Sequence, residues 1–366
     1  MSKVFSKLIA NSRRISKDDY SVNFGGIAED VIDMLDSEQA KKAVSDAREK
    51  IEEGKTLTLE KQFGQEYAHI PLCQQIEFGK FSEAEELENG KVAAIDGTNT
   101  LPMQLYTTGQ ALCVGIGSIS HTRPMSDSLH YWSSKLELEQ SKDTNDLIRK
   151  SEENIFGTSP TAFLRYYEIK HSFDIAETYI LFDGTLVYEW LILQVEGVEL
   201  YKRLFANNKK YIGIIKNLKV NSAFSIYSRA LERGELFIFE TLEDHLKGIN
   251  AHNKNWGELN ESNRWESNKE FIKQYASKIL RGVYKPRKKA FGFEVHIDHL
   301  EDMIRIMASD TQLNYVGHEI PFLLNRIDEE VKRTFSQKIL KDVISARMAK
   351  ESDDLFIQET NERDFR

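Results

Sequence analysis

Two short apolar stretches of this sequence end in the same three residues, Asp-Gly-Thr. The first is VAAIDGTNT at 92–100, which contains Asp96, and the second is YILFDGTLV at 179–187, which contains Asp183. One interpretation is a pair of β-hairpin turns, because Asp-Gly suits type I′ turns, in which both central residues need a positive φ. The other is a pair of strands that deliver two carboxylates to one site. The duplication, together with the order of the surrounding elements, favours the carboxylate site.

The elements that would position these carboxylates are predicted to alternate between strands and helices. Strands are predicted at 92–96, 111–121, 178–188, 210–220, 279–286 and 289–298, and helices at 27–53, 159–177, 189–206 and 319–348. Ser159 and Pro160 suit the start of the second helix, since serine caps helices and proline fits the first helical position. The pattern predicts the α/β class, with a mixed sheet flanked by helices.

The chain of 366 residues is predicted to have three parts. Residues 1–85 are expected to form an N-terminal helical extension, and residues 86–340 the main domain. Within that domain an irregular insertion is predicted at about 241–270, because this segment is rich in Asn, Glu and Trp and has few periodic apolar positions. Residues 341–366 are expected to be the end of the C-terminal helix and a mobile tail.

Four acidic residues follow the order in which ribonuclease H-like folds supply metal ligands. Asp96 ends the first strand, Glu168 lies on the next helix, Asp183 ends the strand after it, and Asp328 lies on the C-terminal helix. Such folds bring these acids to one edge of the sheet. There, two divalent cations roughly 3.5–4 Å apart activate water and stabilise the leaving oxygen of a phosphodiester. Hard cations prefer carboxylate oxygens, whereas four buried acids without a cation would repel one another.

The sequence resembles the NurA family of nucleases, which resect DNA ends together with the hexameric ATPase HerA. The motifs that carry the resemblance are AIDGT at 94–98, RYYE at 165–168, LFDGTL at 181–186, GIIKN at 213–217, VYKP at 283–286 and GHEIPFLLNRID at 317–328. The match covers most of the chain, from about residue 90 to about residue 335.

The resemblance implies a metal-dependent nuclease with a ribonuclease H-like fold. It implies Asp96, Glu168, Asp183 and Asp328 as metal ligands, and Lys216 as a residue that contacts a phosphate. It also implies manganese or magnesium as cofactor, with two ions, and DNA as substrate. The implied assembly is a homodimer docked on a HerA-type ATPase ring, which acts in DNA end resection or in defence against phage DNA.

The charge of the chain bears on how it would bind DNA. A formal net charge of −9 argues against a protein that coats nucleic acid, since such proteins carry a strong basic excess. The segment RGVYKPRKK at 281–289 is a local exception. A run of this kind is usually a solvated turn, but here it is the best candidate for sequence-independent phosphate contacts. Its basic residues are Arg281, Lys285, Arg287, Lys288 and Lys289.

The sequence also indicates a cytoplasmic protein. Cys73 and Cys113 are the only cysteines, too few for a disulfide framework, which suits a reducing compartment. The N-terminal stretch lacks the apolar core of a signal peptide, and no apolar run is long enough to predict a membrane span.

Two other functions fit parts of the sequence. An actin-like or sugar-kinase-like phosphotransferase would use Asp-Gly-Thr hairpins to hold phosphates, although no late pair of glycines for adenosine is found. A non-catalytic dimeric adaptor of the ATPase would keep the fold without the chemistry, and the complete set of Asp96, Glu168 and Asp183 argues against it. Binding of ATP would identify the phosphotransferase, and a metal titration would separate the adaptor from the enzyme.

Overall fold

The structure, a computed structural model, describes most of the chain between residues 37 and 335. The described ranges are 37–76, 84–99, 103–105, 109–133, 159–189, 191–192, 195–218, 222–252, 263–314 and 319–335, with residues 346 and 350. The predicted tail at 341–366 otherwise lies outside these residues, as does the start of the predicted N-terminal helix. No helix in the described ranges is long and apolar enough to cross a membrane.

Within the described part of the chain, the strands form one 10-stranded sheet. In chain order they are β1 (Cys73–Gln75), β2 (Val92–Asn99), β3 (Met103–Leu105), β4 (Gly109–Ser120), β5 (Ser126–Ser133), β6 (Tyr179–Asp183), β7 (Lys210–Ile215), β8 (Glu235–Thr241), β9 (Ile279–Tyr284) and β10 (Phe291–His296). The order across the sheet is β1-β8-β9-β10-β7-β6-β2-β4, and both β3 and β5 pair with β4.

The strand directions make this a mixed sheet. β4 runs antiparallel to both of its neighbours β5 and β2, whereas β2, β6 and β7 are parallel. The strands from β7 through β10, β9 and β8 to β1 are again antiparallel. The α/β class with a mixed sheet is therefore confirmed, and the central order β5-β4-β2-β6-β7 agrees with the predicted ribonuclease H-like arrangement.

Helices cover both faces of the sheet. Those described are α1 (Glu38–Gly54), α2 (Glu60–Phe63), α3 (Glu85–Glu88), α4 (Ser159–Asp174), α5 (Val195–Ala206), α6 (Ser222–Ala230), α7 (Leu242–His252), α8 (Asn263–Gln274), α9 (Leu300–Gln312) and α10 (Phe322–Phe335). Both α4 and α10 pack against β2 and β4. Ile95 and Phe182 belong to the apolar cluster that includes residues of α4, and Ala94 and Leu181 to the cluster that includes residues of α10. Alternate residues of β2 and β6 therefore face different helices, as the period of two requires.

The two Asp-Gly-Thr stretches form strands because their preceding residues are apolar toward both faces. Residues 92–95 of β2 and residues 180–182 of β6 are fully buried. Parallel strands that are covered on both faces have such continuous apolar runs, because water reaches neither side. Each run ends in an aspartate at the edge of the apolar layer.

Two predicted segments differ from the structure. The region predicted as irregular, at about 241–270, contains α7 and most of α8, so that prediction is wrong for these residues. Few apolar side chains carry the helical period there. Among the side chains of α7 and α8 that the structure describes, Leu242, Leu246 and Phe271 are buried in the core. The predicted N-terminal helical extension also contributes β1, which pairs with β8 at one edge of the sheet.

Candidate metal centre

The pairing of β2 with β6 places the two aspartates side by side. Ile95 is the register partner of Phe182 in this parallel pair, so Asp96 and Asp183 follow at the same level on neighbouring strands. Lys216 follows the end of β7, the strand on the other side of β6. Its Nζ atom lies 2.7 Å from a carboxylate oxygen of Asp183. The ends of three parallel strands thus bring together two carboxylates and one ammonium group.

Neither Asp-Gly-Thr stretch is a β-hairpin turn. The first continues as part of β2, where a Cβ atom at Gly97 would lie 2.6 Å from side-chain atoms of Ile116 and Leu164. A side chain at this position would displace those two side chains, so glycine suits the close approach of the sheet and α4. In the second, Gly184 has a φ of 93° and the next regular element is α5, not an antiparallel strand. The hairpin interpretation is wrong, and the phosphotransferase alternative loses the phosphate-holding hairpins on which it depended.

Helix α10 supplies a third carboxylate. The buried residues of this helix are Leu323, Leu324, Ile327, Val331 and Phe335. Asp328 follows Ile327 directly, with 26% of its side chain exposed. Oxygen atoms of Asp96, Asp183 and Asp328 all lie within 4.8 Å of one another. We call these three residues the acid cluster, and it is the one group of three or more potential metal ligands among the described residues.

Asp96 is the most deeply buried member of the acid cluster. It is 7% exposed, and one of its carboxylate oxygens accepts a hydrogen bond of 2.8 Å from the backbone N–H of Gly97. Burial raises the pKa of Asp96 well above its usual value, and the carboxylates of Asp183 and Glu168 raise it further, against the opposing charge of Lys216. Ionisation of Asp96 is therefore unfavourable unless more positive charge enters the site.

Two lysines already offset part of the negative charge. Burial alone would lower the pKa of Lys216, but the carboxylates of Asp183 and Asp96 outweigh it and raise this pKa. Burial alone would raise the pKa of Asp328, but Lys332 and Lys216 lower it overall. The Nζ atom of Lys332 lies 2.6 Å from Asp328, yet 68% of this lysine side chain is exposed. Lys216 therefore belongs to the interior of the site, and Lys332 to its rim.

The donor set suits a hard divalent cation. All three side chains offer carboxylate oxygens, the ligands that magnesium and manganese prefer in proteins. The raised pKa of Asp96 means that its ionised form is disfavoured in this negative surrounding. A cation among the three carboxylates would favour the ionised form. The residues of the acid cluster therefore fit the predicted metal.

Glu168, the fourth predicted ligand, lies beside the acid cluster but pairs with an arginine. It is 4% exposed, and its Oε2 atom accepts a hydrogen bond of 2.8 Å from Arg165. Burial raises the pKa of Glu168 to about 7, although the charge of Arg165 opposes this rise. The charge of Asp183 raises the pKa of Glu168 further, so Glu168 lies close enough to the acid cluster for an electrostatic interaction. Its role as a metal ligand stays a prediction.

Arg165 was not predicted as a functional residue, although it lies within the motif RYYE. It is 5% exposed, and its guanidinium contacts the backbone around Asp183 as well as Glu168. The available signal was the spacing of three residues between Arg165 and Glu168 within RYYE, which places both on one face of a helix.

The basic run at 281–289 has a buried beginning. Only 3% of the Arg281 side chain is exposed, and its guanidinium pairs with Glu240 and Glu294. The same group lies 4.8 Å from the ring centroid of Phe224. Arg281 is thus occupied inside the protein, and its prediction as a nucleic-acid contact is wrong.

The middle of this run is bound to neighbouring backbone. The ammonium group of Lys285 donates to the carbonyl oxygen of Leu231 at 2.7 Å, and the guanidinium of Arg287 donates to that of Asn314 at 3.2 Å. These two side chains therefore stabilise the turn between β9 and β10. Their contact with nucleic acid stays a prediction.

Lys288 and Lys289 are the exposed members of the run. The turn that carries them leads into the start of β10. There Gly292 pairs with Ile215 of β7, and Ile215 directly precedes Lys216. The turn therefore lies at the end of β10 that pairs with the C-terminal end of β7. Of the predicted nucleic-acid contacts, these two lysines are the most exposed, and their contact with a phosphate stays a prediction.

The fold and the acid cluster define an α/β protein with carboxylates gathered at the ends of its parallel strands. No family model matches the chain, and no curated protein matches its sequence. Among solved structures, it is similar to the NurA nuclease from Sulfolobus solfataricus, at 10% identity and a TM-score of 0.49, with 92% of this chain and 99% of that chain covered. NurA bound to dAMP and manganese is similar at 8% identity and a TM-score of 0.42, with 88% and 95% covered.

Human ENDOV is a further similar structure, at 12% identity and a TM-score of 0.31, with 72% of this chain and 93% of that chain covered. NurA structures thus recur among the matches. At these identities, and with TM-scores below 0.5, the similarity does not define an activity, so the function has to follow from the site itself.

Proposed function

We propose that this chain is a divalent-metal-dependent deoxyribonuclease that hydrolyses phosphodiester bonds. The observation that supports it best is the acid cluster, in which oxygens of Asp96, Asp183 and Asp328 lie within 4.8 Å of one another. Such a concentration of like charge destabilises a fold unless a cation is bound, and one member already has a raised pKa. A site of this kind is what metal-assisted hydrolysis requires.

Each residue of the site has a distinct role in this proposal. Asp96, Asp183 and Asp328 hold manganese or magnesium, with two ions expected. When bound, such cations supply Lewis acidity, lower the pKa of water and stabilise a leaving oxygen. Lys216 provides a positive charge next to Asp183, where it contacts a phosphate oxygen and helps to orient the scissile bond.

The exposed Lys288 and Lys289 supply sequence-independent attraction to the DNA backbone. Contacts of this kind are salt-sensitive and carry no sequence information. A chain with a net charge of −9 needs either such a local basic surface or a partner that holds the DNA.

We also propose the partner and assembly that the sequence motifs imply. A homodimer would dock on a HerA-type hexameric ATPase, which feeds DNA to the nuclease in end processing or in defence against phage. The support for this is the resemblance of the two Asp-Gly-Thr strands and the RYYE helix to NurA nucleases. Size-exclusion chromatography with the ATPase tests it, and separate elution of the two proteins would reject it.

The activity is tested by cleavage of linear duplex and single-stranded DNA with the purified full chain. Wild type, Asp96→Asn and Asp46→Asn are compared in manganese, in magnesium and in EDTA, with and without the ATPase. Asp46 is an exposed acid on α1, so its variant controls for the removal of one charge.

We expect wild type and Asp46→Asn to cleave in manganese, and no cleavage in EDTA or by Asp96→Asn. Cleavage that persists in EDTA, or in Asp96→Asn, would reject the acid cluster as the active site. Binding of ATP without any cleavage would instead favour a phosphotransferase. Binding of manganese without cleavage, even with the ATPase, would favour the adaptor.

A further inference from the structure

The chain makes a tight turn directly after Asp183. Gly184 follows with a φ of 93°, in the left-handed region that favours glycine, and its N–H donates to the carbonyl oxygen of Ile214 at 2.7 Å. A Cβ atom at Gly213 would lie 2.2 Å from the backbone nitrogen of Leu186, so this turn rests on the backbone of β7. The orientation of the Asp183 carboxylate therefore depends on how the turn is held.

Arg165 of α4 holds this turn through its carbonyl groups. One terminal nitrogen of its guanidinium donates to the carbonyl oxygen of Asp183 at 3.3 Å, and the other donates to that of Thr185. The guanidinium also lies 4.5 Å from the ring centroid of Phe182. One buried side chain thus contacts the backbone on both sides of Gly184 and the side chain that precedes Asp183.

Glu168 explains how a guanidinium can be buried at this position. Arg165 and Glu168 are 5% and 4% exposed, and they are joined by a hydrogen bond of 2.8 Å. The carboxylate offsets the charge, while the two terminal nitrogens of the planar guanidinium also reach two carbonyl oxygens. The buried Nε atom has no hydrogen-bond partner among the described residues. A lysine would keep the charge, but its single ammonium group does not present this fork of donors.

We propose that Arg165 is a positioning residue that fixes the turn after β6 and so holds the Asp183 carboxylate in the acid cluster. It acts through the backbone of residues 183 and 185, since its contacts are to carbonyl oxygens and not to the Asp183 carboxylate. The consequence for metal binding rests on the proposed function, whereas the effect on the turn does not. Replacement of a residue that orients a metal ligand in this way typically lowers metal affinity by about 10–100-fold.

The test compares Arg165→Lys with Arg48→Lys in the full chain. Arg48 is a matched control, because it donates to the carboxylate of Glu235 at 3.0 Å and to the carbonyl of Ala230 at 3.4 Å, but lies on α1. Hydrogen–deuterium exchange of peptides covering residues 180–189 is measured in EDTA. Manganese affinity is then measured by calorimetry.

We expect Arg165→Lys to speed amide exchange in these peptides and to weaken manganese binding by about tenfold. Arg48→Lys should change neither. Unchanged exchange in a folded Arg165→Lys would overturn the proposal, and faster exchange with unchanged manganese affinity would overturn the link to the acid cluster.

Two controls keep these results separable. If wild type itself binds no manganese, the proposed nuclease function fails, while the exchange data still decide whether Arg165 positions the turn. If Arg165→Lys does not fold, Phe182→Leu is the second variant, because it removes the ring beneath the guanidinium. It should speed exchange in the same peptides, and unchanged exchange there would overturn the proposal.

Discussion

The Nζ atom of Lys216 lies 2.7 Å from a carboxylate oxygen of Asp183, so the positive charge of this lysine lies next to the acid cluster. This ammonium group is fixed to the end of β7, whereas the Lys332 ammonium at the rim is mostly exposed. A metal ion that binds Asp183 therefore has to share or displace the interaction with Lys216. Metal affinity and catalysis should depend on this lysine in opposite ways.

Lys216→Met should lower the cleavage rate without lowering metal affinity. If Lys216 faces the reacting phosphate as proposed, removal of its positive charge is expected to reduce kcat by about 10²–10³-fold. Manganese affinity should stay equal or rise, because the ammonium that competes for Asp183 is gone. Calorimetry and steady-state cleavage measure the two quantities. Lys210→Met, at the other end of β7, is the control, and weaker manganese binding with an unchanged kcat would contradict this role.

Asp96→Asn should stabilise the metal-free protein while it abolishes the response to manganese. The amide keeps the shape of the side chain and removes a buried charge whose pKa is raised by burial and by two carboxylates. We therefore expect a higher free energy of unfolding than that of wild type at pH 8 in EDTA. Thermal melts with and without manganese measure both effects, with Asp46→Asn as control. If the variant is less stable than wild type and is still stabilised by manganese, then ionised Asp96 neither destabilises the metal-free protein nor binds the metal.

The contribution of Glu168 to the stability of the metal-free protein should be lost as the pH rises from about 4.5 to about 7. Histidines whose pKa is lowered by burial, such as His299 with a pKa of about 4, act in the opposite direction over part of this window. Burial raises the pKa of Glu168 from 4.5 to about 7, so in this window the folded state binds a proton that the unfolded state has lost. Its contribution is therefore fully present below pH 4.5 and lost as the pH passes 7, a change on the order of 3 kcal/mol. Asp96, whose pKa is also raised, acts in the same direction.

Glu168→Gln tests this origin of the pH dependence. Urea unfolding in EDTA at several pH values between 4.5 and 8 should show that the variant gains stability relative to wild type as the pH rises, because the amide cannot ionise. Glu49→Gln, at an exposed position of α1, should leave the wild-type profile unchanged. Parallel profiles for Glu168→Gln and wild type would mean that Glu168 is ionised across the whole range.

Replacing Lys288 and Lys289 together by serine should weaken binding to DNA of any sequence. Each phosphate contact that is lost reduces the slope of log affinity against log salt by about 0.9, so the slope should shrink by about 2. Fluorescence anisotropy in EDTA, at several salt concentrations, measures it without cleavage. The paired replacement of Lys41 and Lys42, both exposed on α1, is the control, and an equal loss in both double variants would indicate only the change in net charge.

The parallel strands of the site were predictable because burial leaves a local mark on the sequence. Residues 92–95 and 180–182 are continuous apolar runs, as expected for strands covered on both faces, and each leads directly into an aspartate. Asp328 was predictable for a similar reason, since α10 has a strong apolar stripe and Asp328 adjoins it. The polar strand β5 and the helix α8, which has few apolar residues, lack such an apolar pattern, and neither was predicted.

Ion pairs between distant segments were not predictable, because they depend on register. Arg281 appears in the sequence as part of a basic run, but it is the register partner of Glu294 and is buried with it. The pair of Glu168 with Arg165 is different, because the two residues are three apart on one helix and this spacing is visible in the sequence. Ion pairs that form only in the folded chain therefore determine which carboxylates are free to bind a metal.

Helix α10 completes the acid cluster, and it is the last long helix within the described part of the chain. During synthesis on the ribosome, β2 and β6 emerge well before Asp328, so a nascent chain has two of the three acids and lacks the third. Folding of the C-terminal helix onto the sheet is then a maturation step in itself. A chain of this design would assemble its acid cluster only after α10 has been synthesised and has packed onto the sheet.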